Sequence, residues 1–344
     1  MRVGRQKVNA CFLACVLLTC PLLVYSIIRT FISNSRWSCS HAAHASARVG
    51  FGVGLQYTWK QLEQSNKSTA PEGKQRPPDF IIVGVRKSGT RALLSMITLH
   101  PQVVSPGPEV HYFDRDENFR RGLGWYVSQM APSRDGQLTG EKSPSYFIFP
   151  SVPLRIKNYF ETVGKKAKLL LVVREPVSRL ISDFTQKLVQ KGISAFDSET
   201  VRDNFVQKAF TLDGQVNTNW TAIRISLYSV FLERWLNVFE PSEIHFVNGD
   251  NLIRNPTTEM IKVSSFLGLD QSFDWKNSFN YNSTLGFFCI RKGHSGNVSH
   301  CLGSTKGRRH PEIDASLLEK LYMFFRPYNS KFVKMTGMTV DWDI

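Results

Sequence analysis

The chain has 344 residues, 42% of them hydrophobic, which suffices for the core of one large or two ordinary domains and excludes a chain too polar to bury one. Its formal charge of +15 is a large excess. Such an excess points to an anionic partner, whether nucleic acid, a membrane surface or an acidic polysaccharide.

Arg2, Arg5 and Lys7 precede an uncharged run at 10–28, ACFLACVLLTCPLLVYSII. At about 1.5 Å per residue, a helix of that length can just cross a hydrocarbon core of roughly 30 Å. The length favours an uncleaved transmembrane signal anchor over a cleaved signal peptide. The basic residues ahead of the run keep 1–9 as a cytosolic tail and send the rest to the lumen, with Arg29 and Arg36 opposing that bias. Residues 29–78 hold no helical or strand period and read as a luminal stem. Four glycosylation sequons, at Asn66, Asn219, Asn282 and Asn297, lie beyond the anchor.

From Asp79 to the end, short apolar runs alternate with amphipathic stretches. The runs at 80–85, 168–173 and 243–249 predict buried parallel strands, rich in Val, Ile and Leu. Helical spacing follows at 90–100, 177–189, 222–239 and 257–269, and a last helix is expected at 314–328. The alternation predicts one α/β domain over 79–344, a three-layer sandwich around a parallel sheet. Cys289 and Cys301 are the only cysteines in this part of the chain. An oxidising lumen would favour joining them, two free buried thiols being the alternative.

The junction between the first strand and its helix reads GVRKSGTR, from Gly84 to Arg91. A strand leads in, a helix leads out, and Lys87, Ser88, Gly89 and Thr90 supply a cation, hydroxyls and backbone freedom, which is what a phosphate cradle needs. It is not the nucleotide triphosphatase loop, because Lys87 lies before Gly89 rather than after it, and no downstream acid is evident to hold Mg²⁺. A loop for a doubly anionic group without a metal is expected. Arg174 emerges from the second strand and Ser182 follows two turns into the next helix, a pair suited to another phosphate.

The stretches GVRKSGTRALL, EVHYFD, GEKSPSYF, VVREPVSRLISDFTQ and CLGSTKGRRHPEID occur in this order. Together they resemble the heparan sulfate glucosamine 3-O-sulfotransferases, a family of Golgi type II membrane enzymes. The resemblance implies a P-loop-like sulfotransferase fold, 3′-phosphoadenosine 5′-phosphosulfate (PAPS) as donor, no metal, and heparan sulfate rather than nucleic acid as partner. It implies that Lys87, Ser88, Gly89, Thr90 and Arg91 hold the phosphosulfate with Lys306, Gly307 and Arg308, and that Arg174 and Ser182 hold the 3′-phosphate. By the same likeness Glu109 is the general base and Lys142 a second catalytic cation. His111 and Asp114 orient the acceptor and shape its electrostatics. Ser143, Arg115 and Gln186 are expected at the acceptor site, and Trp220 on the adenine or in the core. Ser88 stands where the family often has Gly. N-sulfation of the same polysaccharide, or binding without turnover, are the competing readings.

Overall fold

The computed structural model describes residues 73–193, 198–292, 298–301 and 310–342. The expected tail, anchor and most of the stem, with Asn66, Asn297, Lys306, Gly307 and Arg308, lie outside the described residues. Among the described residues no helix is long and apolar enough to cross a membrane.

In chain order the elements are β1 (Lys74–Gln75), β2 (Phe80–Gly84), α1 (Thr90–Ile97), β3 (Val103–Val104), α2 (Asp116–Phe119), α3 (Gly122–Ser128), β4 (Pro132–Ser133), β5 (Leu138–Lys142), α4 (Val152–Thr162), β6 (Leu169–Val173) and α5 (Pro176–Gln190). There follow α6 (Ser198–Ala209), α7 (Thr221–Ile225), α8 (Tyr228–Leu236), β7 (Ile244–Asn248), α9 (Gly249–Arg254), α10 (Pro256–Leu267), β8 (Phe279–Asn282), β9 (Phe287–Lys292), β10 (Val298–His300) and α11 (Ala315–Thr336). Five strands form a sheet in the order β3-β5-β2-β6-β7, every neighbouring pair parallel.

The apolar runs of β2 and β6 follow from burial on both faces. Phe80, Ile82, Leu170 and Val172 point into one core, shared with Leu93 and Ile97 of α1 and Met260 and Val263 of α10. Ile81, Val83, Leu169, Leu171 and Val173 point into the other, with Tyr126, Tyr159, Trp235 and Phe332. Two cores on opposite faces of one sheet make the expected three layers. A third cluster, including Leu180 and Phe184 of α5, Phe205 of α6 and Phe325 of α11, packs beside them.

Four details depart from expectation. The final residues of the expected stem are ordered onto the domain: Lys74 and Gln75 pair with Ser133 and Pro132, and the Tyr159 hydroxyl donates to Pro78 O at 2.8 Å. The helix expected at 222–239 is two helices, broken where Ser226 N–H turns back to Ile223 O and its Oγ is occupied by Arg179 and Pro176 O. The last helix runs on through Pro327 to Thr336, ending at Gly337 in the left-handed conformation (φ 66°). An antiparallel sheet, β10-β9-β8, stands apart from the main one, and Cys289 on β9 is disulfide-bonded to Cys301 beyond β10, as expected.

Candidate active site

The loops that leave the C-terminal ends of β2, β5, β6 and β7 meet over the sheet, where open α/β folds place their ligands. They border a cleft of about 780 Å³. The loop after β2 contributes Arg86, Lys87, Ser88 and Gly89, and α1 contributes Thr90 and Arg91. Gly89 caps α1 at φ 110°, a conformation costly to residues with a Cβ, and the first-turn N–H groups of a helix have no intrahelical acceptor. Those free donors and the positive end of α1 suit an anion.

This loop is fixed from beneath. Arg179 of α5, with 0% of its surface exposed, donates to Arg86 O at 3.2 Å and to Ser226 Oγ at 2.7 Å, and also bonds Ala222 O. Asp183, one turn later, lies 3.4 Å from Arg179 Nη1 and 3.0 Å from Arg86 Nη2. On the other side α9 begins hard against the loop: a Cβ on Gly249 would overlap Ser88 O and come within 2.7 Å of Val173 O.

A second group of donors follows β6. Glu175 caps α5 by accepting from Val177 and Ser178 N–H at 2.8 and 2.6 Å, and Pro176 takes the first helical position, so the helix starts directly behind Arg174. Arg174 Nε lies 3.2 Å from Asp250 Oδ1, while Asp250 Oδ2 accepts from Glu175 N–H and from the Trp342 indole. Arg174 and Ser182 border the same cleft as the first loop. Gln186 also borders it, but its Oε1 accepts from Lys87 Nζ at 2.7 Å, so the amide holds the loop lysine. His310 faces these cations. Burial, then Arg174 and Lys87, push its imidazole down to about 4.

The opposite wall carries a cluster of charged side chains. Lys142, the last residue of β5, is only 5% exposed and hydrogen-bonds Glu109 Oε1. Glu109 is 40% exposed, and its Oε2 lies 3.3 Å from His111 Nε2. The other ring nitrogen, Nδ1, lies 3.0 Å from Asp114 Oδ2, whose carboxylate is 4% exposed, and 3.2 Å from Ser145 Oγ. Burial raises the Glu109 carboxyl, but hydrogen bonds from His111 and Lys142 outweigh it and hold the group at about 2. Hydrogen bonds to Asp114 and Glu109 raise His111 to about 9 against the opposing effect of burial. At neutral pH the site therefore presents an ionised carboxylate clamped between an imidazolium and an ammonium.

The fold thus gathers Lys87, Ser88, Gly89, Thr90, Arg91, Glu109, His111, Arg115, Lys142, Arg174, Ser182 and Gln186 around one cleft, with Asp114 directly behind His111. Two expectations need correcting. Ser143 is fully buried, its Oγ accepting from His111 N–H at 3.0 Å and donating to Glu141 Oε2 at 3.1 Å, so it faces the core rather than an acceptor. Trp220 packs edge-on against Phe184 and Phe205 and does not border the cleft. Of the described sequons, Asn219 is exposed in the turn before α7, whereas Asn282 is part-buried and bonds Leu285 N–H in the β8–β9 hairpin. Leu285, Phe287 and Phe288 of that hairpin, His310 and Gly249 also border the cleft and were not expected there. Arg179 and Asp183, which fix the loop from beneath, show in the sequence only as an i, i+4 charge pair lying away from the apolar stripe of Val177, Leu180, Ile181, Phe184 and Leu188.

A sulfotransferase domain model matches residues 77–339. Human heparan sulfate glucosamine 3-O-sulfotransferase 3A1 is 43% identical over 273 residues, which cover 79% of this chain and 64% of that protein, so this chain spans less than two thirds of that relative. Mouse heparan sulfate glucosamine 3-O-sulfotransferase 5 is 43% identical over 78% of this chain and 75% of its own length. Mouse heparan sulfate glucosamine 3-O-sulfotransferase 6 is 39% identical over 89% and 85%. In fold the chain matches a sulfotransferase from Alicyclobacillus acidocaldarius with a TM-score of 0.54 at 21% identity, over 77% of this chain and 98% of that one. With a sulfotransferase domain spanning most of its length and relatives of this similarity, the chain belongs to the heparan sulfate glucosamine 3-O-sulfotransferase family.

Proposed function

We propose that the protein transfers a sulfuryl group from PAPS to the 3-hydroxyl of glucosamine residues in heparan sulfate. The observation that carries this reading is the meeting, across one cleft, of an anion-binding loop and a carboxylate–imidazolium–ammonium cluster. The relatives whose names specify this acceptor and position support it.

The cleft fits a donor with phosphate at two places. Its basic groups fall into two sets, one around Lys87 and one around Arg174, and after burial both lower the His310 imidazole. Residues 87–91, with Lys306, Gly307 and Arg308, would hold the 5′-phosphosulfate, and Arg174 with Ser182 the 3′-phosphate. When bound, the donor supplies a sulfuryl group already attached to a phosphate leaving group. Leu285, Phe287 and Phe288 offer an apolar surface for its base.

The chain's own residues account for the acceptor side. Glu109 takes the proton of the attacking hydroxyl, a contribution of about 10²–10⁴ in rate for a well-placed base. A carboxyl held at about 2 is a weak base; of the two groups that lower it, His111 and then Lys142, Lys142 is the one that can turn away and release part of the effect. While Nζ donates to Oε1 the carboxylate is stabilised; when Nζ turns to other negative charge in the cleft, Oε1 regains basicity. His111, fixed by Asp114, keeps Oε2 oriented throughout. The exposed Arg115 at the rim and the +15 charge favour a sulfated polysaccharide over a neutral one.

We further propose a single-pass Golgi enzyme anchored by 10–28 with its catalytic domain in the lumen. The Cys289–Cys301 disulfide supports an oxidising compartment. The test is incubation of the full chain with PAPS and heparan sulfate, followed by disaccharide analysis. Sulfate at glucosamine O3 is expected. Sulfate on nitrogen or another oxygen, or none while the product nucleotide PAP still binds, would overturn the assignment.

A further inference from the structure

Glu141 precedes Lys142 on β5 and has no exposed surface. Hydroxyls surround its carboxylate: Tyr126 donates to Oε1 at 3.1 Å and Ser143 donates to Oε2 at 3.1 Å, and the buried Tyr146 hydroxyl faces it and favours its ionised form. Two of these hydroxyls have a second task. Ser143 Oγ accepts from His111 N–H at 3.0 Å, and the Tyr146 oxygen accepts from Tyr112 N–H at 2.9 Å and more weakly from Phe113 N–H at 3.4 Å. Those amides belong to the turn that carries His111, which sits at φ 53°, a left-handed conformation uncommon for a residue with a Cβ.

We propose that Glu141 is a positioning residue of the active site. By drawing the Ser143 and Tyr146 hydroxyl hydrogens inward, it leaves their oxygens to accept from the His111, Tyr112 and Phe113 amides, and so holds the imidazole between Glu109 and Asp114. A hydroxyl has one hydrogen, and an ionised carboxylate can only accept, so the ionised form fixes the direction of all three hydroxyls. A protonated Glu141 must itself donate. One of the three hydroxyls then has to turn its hydrogen away from the carboxylate; where it is Ser143 or Tyr146, that hydrogen points to the side on which the amides donate, and the turn loses a fixed acceptor. The claim rests on reading Glu109 and His111 as the reacting pair.

The titration of Glu141 is therefore coupled to the His111 turn. Burial pushes its carboxyl up to about 7, with the Tyr146, Tyr126 and Ser143 hydrogen bonds and the charge of Lys142 opposing that rise. The groups facing it are Tyr126 from α3, Tyr146 from the turn after β5, Tyr159 from α4, and Lys142 beside it on β5. Burial moves all three tyrosines upward, so they remain hydroxyls across neutral pH. Glu109 at about 2, His111 at about 9 and His310 at about 4 titrate elsewhere. A transition near neutrality in this turn that disappears with the Glu141 carboxyl would belong to it.

Selective ¹⁵N-histidine labelling of the full chain tests this without turnover. The His111 amide resonance is expected to move with a midpoint near 7 in the wild type, to lose that transition in Glu141→Gln, and to shift its midpoint upward in Tyr126→Phe, which removes one donor to the carboxylate. In the transfer assay Glu141→Gln should lower kcat about 10- to 100-fold, by analogy with the loss of outer hydrogen-bond partners at metal sites, with the PAPS KM nearly unchanged. A folded Glu141→Gln that keeps the transition or the wild-type kcat would overturn the proposal. Should that variant not fold, an unmoved midpoint in Tyr126→Phe overturns it instead. A wild-type chain that shows the titration but transfers no sulfate overturns the activity and upholds the positioning.

Discussion

Replacing Arg179 by Met keeps an unbranched side chain of similar reach and removes only the guanidinium. The loss falls on a pair shut off from water: Arg179 and Asp183 are 0% and 1% exposed. Arg86 O loses a donor at 3.2 Å and Ser226 Oγ one at 2.7 Å, although Ser226 still bonds Pro176 O. Asp183 keeps a single cationic partner, Arg86 at 3.0 Å. Breaking a buried pair from one side costs about 3–5 kcal/mol, and the surviving Arg86 contact places this case near 3. For a domain of this size about 2–4 °C accompanies each kcal/mol, so Tm should fall by roughly 6–12 °C. Arg86 would also be drawn toward Asp183 and away from the cleft, weakening nucleotide binding. Thermal melts with and without PAP read both effects. A Tm within about 2 °C of wild type and an unchanged PAP-induced stabilisation would refute the view that Arg179 supports the loop.

Gly249→Ala brings a Cβ against the Ser88 and Val173 carbonyls, backbone atoms that cannot rotate away; a loss of about 1–3 kcal/mol, typical of overpacking, should accompany weaker PAP binding by calorimetry. The charged pair in the cleft makes stability depend on pH in two windows. Glu109 is depressed from 4.5 to about 2, so its contribution is present above 4.5 and fades as pH falls toward 2; His111 is raised from 6.5 to about 9, so its contribution is complete below 6.5 and fades as pH rises through 9. Denaturant titrations across pH should show the alkaline decline between 6.5 and 9, and His111→Gln should flatten it. Cys289→Ser opens a loop of 12-residue separation, a change worth about 3 kcal/mol in the chain-entropy account, and reductant should lower the wild-type Tm but not that of the variant.

The parts legible in the sequence are those whose local pattern and environment agree. FIIVG and LLLVV are apolar throughout because both faces of β2 and β6 are covered, and the turn after β2 needs its glycine at positive φ. β5, LTGEK, is equally central but carries Thr, Gly, Glu and Lys, and no period marks it as a strand. Its polar groups are satisfied by distant residues: Glu141 by Tyr126, Lys142 by Glu109, Thr139 N–H by Asp79. Gly140 is set by Phe80, whose ring fills the place of a Cβ. The same distance hid Ser143, whose motif reads as a site residue although its hydroxyl serves the turn below. Trp220 was ambiguous for the opposite reason, since an aromatic at a helix start suits either a ligand or a core, and Phe184 and Phe205 decide for the core.

Glu109→Gln, compared with the wild-type full chain for sulfate transfer to heparan sulfate and for PAP binding, tests the central claim most directly. The amide keeps the shape and loses the ability to take the acceptor's proton. The account predicts a fall in kcat of about 10²–10⁴ with PAP affinity unchanged. A variant that turns over at the wild-type rate, its PAP affinity intact, would contradict it, because the group clamped between Lys142 and His111 would then not be the base.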